Sequence, residues 1–63
     1  MSAVVEYVRT TDAEDSALAQ HAVTILAKSE GYTVKTVKSV RLVSAPVQTR
    51  PARYTVTLAV TRA

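Results

Sequence analysis

The side chains of this chain that could do chemistry are few. Among its 63 residues are five carboxylates, one histidine and no cysteine. Asp12, Glu14 and Asp15 stand close together, and paired carboxylates can serve acid–base catalysis when a pocket holds them. Here a simpler role suffices: Thr11-Asp12-Ala13-Glu14 fits a capping box, and acidic groups suit the positive end of a helix dipole. His21 has no second histidine or cysteine with which to hold a metal, and no nucleophile and orienting acid with which to form a triad. A phosphate-cradling glycine loop is absent, because Gly31 is the sole glycine. The residues therefore predict a protein that is not an enzyme.

The cations remain. Eight Lys and Arg give a formal net charge of +3, which suits anionic partners and equally suits plain solubility. Lys35, Lys38, Arg41, Arg50, Arg53 and Arg62 could contact phosphates, so a small nucleic-acid-binding module is one candidate function. Sheet-type RNA readers need aromatic rings on an open face, and this chain has only Tyr7, Tyr32 and Tyr54. Nucleic acid is thus a conceivable partner but not the favoured one.

The element expected to organise these groups is the last strand, Tyr54 to Thr61. Tyr54, Val56, Leu58 and Val60 alternate with Thr55, Thr57, Ala59 and Thr61, which places one face on a core. Ala3 to Arg9 reads as a first strand, with Glu6 marking an edge. A helix is expected from the Thr11 cap to about Glu30. Its core stripe would be Leu18, Ala22, Ile25, Leu26 and Ser29, flanked by Ala19 and Val23, with His21 at the margin. Gly31 is placed to end it in a left-handed conformation, with Tyr32 packing back on the last turn.

Thr33 to Val43 is rich in β-branched residues, yet its valines (Val34, Val37, Val40, Val43) recur every three positions. That fits neither regular element and predicts a strand with a bulge or strong twist. Ser44 to Ala52, with Pro46 and Pro51, is a long loop. A strand–helix–strand unit makes its two strands parallel through a right-handed crossover. The third strand then slots between them, giving an α+β fold, βαββ, with a sheet of order 1-3-2 and one helix on one face.

A chain this short buries only about 60% of the surface its unfolded form exposes. Without disulfides or a metal site, oligomerisation is the remaining source of extra stability. One sheet face has nothing in the chain to cover it, which predicts a homo-oligomer. No apolar run approaches the roughly 20 residues of a membrane helix. Met1 to Val8 lacks the basic start of a signal peptide, so a cytoplasmic location without membrane contact is expected.

Tyr54-x-Val56-Thr57-Leu58-x-Val60 resembles the Tyr-x-Val-Thr-Leu-x-Val of the last strand of many dodecins, small βαββ proteins that form hollow dodecamers and bind flavins. Val34, Val37 and Val40 fall on apolar second-strand positions of that family, and Thr11, Ala19, Val23 and Ala27 keep register with it. The resemblance implies a single dodecin-like domain over residues 1–63, assembly into a dodecamer, and a binding or storage role for FMN, riboflavin or another nucleotide-like ligand between subunits. The ligand would lie near Thr36 and Thr55, with Lys38 and Arg50 available for phosphates. Thr36 stands where flavin-binding dodecins carry a stacking tryptophan, and Thr55 where they carry a glutamine. The loop also departs, having two prolines and Arg50 where the family's is commonly Gly-rich and acidic. A self-assembling structural subunit without flavin is the alternative these departures leave open.

Overall fold

The computed structural model describes residues 3–62. Met1 and Ser2, where the reading of the N-terminus begins, and Ala63 lie outside the described residues. The chain forms β1 (Val5–Ala13), α1 (Ser16–Ser29), β2 (Tyr32–Ser44) and β3 (Ala52–Arg62). These make a three-stranded antiparallel sheet of order β1-β3-β2 with α1 on one face, the expected α+β βαββ arrangement.

β3 is the central strand. Val56, Leu58 and Val60 are wholly buried, and full burial of such a side chain stabilises by about 1.5–3 kcal/mol. With Tyr7, Ala19, Val23 and Ala27 they form the core, and Ala13, Tyr32, Val34, Val40 and Tyr54 pack against its margin. Glu6 is exposed on β1, an edge strand, as its charge requires.

The bulged β2 follows from the three-residue period of its valines. Register shifts fall between Val34 and Thr36, between Val37 and Ser39, and between Leu42 and Ser44. Each shift makes three residues of β2 span two of β3. Through the first two, Val34, Val37 and Val40 meet Val60, Leu58 and Val56 in turn. Val43, the last valine of the period, is the extra residue of the third and is exposed. A regular strand would have sent Val37 to the opposite face from Val34. Lys35 and Lys38 are the extra residues at the first two shifts.

The start of the helix differs from the expected one. Thr11, Asp12 and Ala13 belong to β1, opposite Tyr54, Arg53 and Ala52. The Asp12 carboxylate accepts from Arg53 Nε at 2.9 Å, which helps hold this segment extended. Asp15 is the N-cap instead: its Oδ1 accepts from the Leu18 amide at 2.8 Å. The capping box at Thr11 is therefore not formed, and β1 runs to Ala13 rather than to Arg9.

The buried helix face differs too. Ala19, Val23 and Ala27 are buried, one turn apart, whereas Leu18, Ile25 and Leu26 are 49%, 52% and 42% exposed. Ala22 and Ser29 are exposed with them, and so is His21. Small residues let the helix axis come close to a sheet already filled by Tyr7, Val56, Leu58 and Val60. The larger aliphatic stripe is left facing outward.

At its other end α1 stops as expected. Gly31 has φ of 92°, a conformation that L side chains rarely adopt, and its amide donates to the Lys28 carbonyl at 3.1 Å. Tyr32, expected to pack back on the last turn of α1, has its ring 5.3 Å from that of Tyr7 in β1, centre to centre. In the 45–51 connection Val47 and Arg50 exchange backbone hydrogen bonds of 3.0 and 3.1 Å, closing a tight turn.

The molecule is long and thin, measuring 47 × 18 × 13 Å. Its radius of gyration is 12.3 Å, against about 10.6 Å for a compact domain of this length.

Candidate ligand-binding face

The sheet has two unlike faces. Residues paired across the strands share a face, so Tyr7, Val37 and Leu58 fix the side that meets the helix. The opposite side carries Glu6, Val8, Thr10 and Asp12 from β1, Arg53, Thr55, Thr57, Ala59 and Thr61 from β3, and Thr33, Thr36, Ser39 and Arg41 from β2. Most of these are hydroxyl-bearing or charged. No helix covers them, although Ala59 and Thr61 are each only 8% exposed.

Thr36 and Thr55 both lie on this open face. Thr36 sits beside Ala59, while Thr55 lies between Thr10 and Arg41. The Thr55 and Thr10 hydroxyls are 3.0 Å apart. Four residues of β3 separate the two positions, or about 13 Å at roughly 3.3 Å per residue. One copy therefore brings Thr36 and Thr55 to a common surface but not to a common pocket.

Lys38 reaches across the sheet, its Nζ 3.0 Å from Glu6 Oε2. This ion pair is exposed, which makes it weak and easily exchanged for another anion. Arg53 is likewise paired with Asp12. Arg50 lies elsewhere. It lines an open groove of about 920 Å³ between the 46–52 segment and the start of α1, beside Asp12, Glu14, Leu18 and Ala22. The four residues expected near the ligand thus divide three to one between the open sheet face and this groove.

All three tyrosines lie on the helix side of the sheet. The open face has no aromatic ring on which a base or a flavin could stack, in agreement with the threonine at position 36. Recognition on this face would rest on hydroxyls, backbone and charge.

A further polar cluster was not evident in the sequence. The buried Tyr7 hydroxyl donates a short hydrogen bond to Glu30 Oε2. Arg9 stacks over the Tyr7 ring at 4.3 Å and lies 3.6 Å from the Glu30 carboxylate. Burial pushes the Tyr7 phenol above its ordinary value, and the hydrogen bond to Glu30 pushes the same way, against a lowering influence of Arg9. Tyr7 was readable as a strand residue, but nothing local links it to Glu30, 23 positions later.

Among the described residues no group of His, Asp and Glu is placed to hold a metal ion. No helix of the described residues is long and apolar enough to cross a membrane. Compared with protein-family models, with curated proteins and with solved structures, the chain matches none.

Proposed function

We propose that this chain is a non-catalytic, self-assembling subunit of a dodecin-like binding or storage protein, acting in the cytoplasm. Its ligand is FMN, riboflavin or another planar nucleotide-like molecule, held between copies on the helix-free sheet face. The observation that carries this reading is that face itself: it is rich in hydroxyls, lies on the core strand of a marginal domain, and has no helix over it among the described residues. Leu18, Ile25 and Leu26 add apolar surface on the helix that a neighbouring copy would remove from water.

The 13 Å between Thr36 and Thr55 is consistent with a site shared by two copies, in which Thr36 of one approaches Thr55 of another. Lys38 can exchange Glu6 for a ligand phosphate at small cost. Arg50 would contribute from a neighbouring copy's turn. Without a stacking ring, affinity for a flavin is lower than a tryptophan at position 36 would give, by about 1–3 kcal/mol per ring.

Titration calorimetry with FMN and with coenzyme A, alongside the visible absorbance of freshly purified protein, tests the ligand. Saturable binding that strengthens about 5- to 150-fold for FMN in Thr36→Trp is the expected result. A colourless protein that ignores both molecules, with Thr36→Trp equally inert, would overturn the ligand and leave a purely structural subunit.

A further inference from the structure

The two outer strands of the sheet protect their free edges unequally. An unpaired strand edge invites another strand, and proteins usually blunt it with bulges, lysines or prolines. β2 is blunted in this way, with three register shifts and with Lys35 and Lys38 as the extra residues of two of them. β1 is blunted less. Glu6, Arg9 and Asp12 put charge along it, and the Arg9 guanidinium donates to the Val8 carbonyl at 2.7 Å. Its register against β3 is nonetheless unbroken from Val5 to Ala13, and the segment contains neither proline nor lysine. Val5 and Val8 are 46% and 45% exposed along it.

We infer that two copies of this chain join edge to edge through β1, antiparallel about a two-fold axis at Val8, making one continuous sheet. This rests on the self-association proposed above and names the surface responsible. A two-fold contact must be complementary to itself, and residues directly opposed in a continuous sheet lie on the same face. Charge narrows the register. An axis at Glu6 sets Glu6 against Glu6, and an axis at Arg9 sets Arg9 against Arg9 and Glu6 against Asp12. Like charges directly opposed destabilise a sheet. An axis at Tyr7 overlaps less of the strand and leaves the two Glu6 carboxylates diagonal to each other. An axis at Thr10 sets Val8 against Asp12.

Within Val5–Ala13, centring on Val8 avoids all of these, Asp12 falling opposite Val4 just beyond the strand. It places Val8 against Val8, Glu6 against Thr10 and Val5 against Thr11, with Arg9 of each copy against Tyr7 of the other. Arg9 already lies over its own Tyr7 and beside Glu30, so this register gives each guanidinium a second ring on the same side of the sheet. The main-chain hydrogen bonds of the added strand supply affinity, as in other cases of strand addition.

The test introduces charge on the axis. Val8→Lys and Val8→Glu are measured separately and as an equimolar mixture by native mass spectrometry, with circular dichroism to confirm the fold. Each variant alone should show a mass at least two-fold below that of the unchanged protein, because it opposes like charges. The mixture should recover the unchanged mass, and Val8→Thr should keep it throughout. Unchanged masses for both charged variants would overturn the β1 contact while self-association stood. A monomeric unchanged protein would overturn self-association itself. Should the charged variants unfold, Val8→Cys decides, since the chain has no other cysteine. Mild oxidation should give a disulfide-linked dimer, and its absence in an assembled protein would overturn the contact.

Discussion

β1 and β2 flank the same central strand, yet they meet it differently. β1 follows β3 residue for residue from Val5 to Ala13. β2 gains a residue on it at three places. In β1 every position has a fixed face, and the partners of Tyr7 and Arg9 depend on strict alternation. In β2 the inserted residues absorb the mismatch, so Val34, Val37 and Val40 stay on the helix side of the sheet, with Val34 and Val40 packed against the core. Side-chain facing in a sheet is set by the ladder position, and sequence separation decides it only where the ladder is unbroken.

Deletions test this contrast with the largest effect. Removing Val8 from β1 must turn one half of the strand over, exposing Tyr7 or misplacing Arg9 to Ala13. It should destabilise by about 3–5 kcal/mol in urea unfolding, the range for losing a buried aromatic. Removing Lys38 from β2 leaves Val37 opposite Leu58 and Val40 opposite Val56 in a regular ladder, and should cost less than about 1 kcal/mol. Equal losses from the two deletions would show that β1 and β2 depend on strict alternation alike.

The junction between helix and β2 comes next. Gly31→Val forces a β-branched residue to a φ of 92° and should cost about 1–2 kcal/mol in thermal unfolding. No neighbouring atom lies within 4 Å of where its Cβ would stand, so the loss should be conformational, and Gly31→Asn should recover part of it.

On the β1 side, Tyr7→Phe removes the hydrogen bond to Glu30 and should cost about 1 kcal/mol at neutral pH. The phenol is raised from its ordinary value of 10.0 by folding, so the folded state favours its neutral form. Its contribution is complete below pH of about 10 and is lost as pH rises through the folded value. Stability measured against pH should therefore fall above about 10 in the unchanged protein, and less steeply in Tyr7→Phe. The smallest effect belongs to the exposed pair joining the two outer strands. Lys38→Ala should change stability by about 0.2–1 kcal/mol, diminishing at high salt.

Much of this fold was legible in the sequence. The alternation from Tyr54 to Thr61 identified the central strand and its two faces, Gly31 marked the end of the helix, and the spacing of Val34, Val37 and Val40 announced the bulged strand. The helix was harder. Leu18, Ile25 and Leu26 form its most apolar stripe, but Ala19, Val23 and Ala27 are what the sheet admits, because Tyr7 and Leu58 already fill the space. Thr11 carried the capping signal, yet ladder pairing of Thr11, Asp12 and Ala13 with Tyr54, Arg53 and Ala52 takes that segment into β1 and leaves the cap to Asp15. Both outcomes depend on residues outside any local window, Tyr7 and Leu58 for the helix face and β3 for the start of α1, which local patterns do not register. The candidate ligand residues were legible only in part. Strand parity placed Thr55 on the open face and the bulge brought Thr36 to it, whereas Arg50 followed the turn into a separate groove.

The proposed function requires that one copy of this chain be completed by others. The mass of the native protein in solution tests it most directly, read by native mass spectrometry across a concentration series. The predicted result is a closed assembly of several copies, a dodecamer if the resemblance extends to quaternary structure, persisting at micromolar concentration. A cooperatively folded monomer throughout the series, with stability independent of concentration, would contradict it.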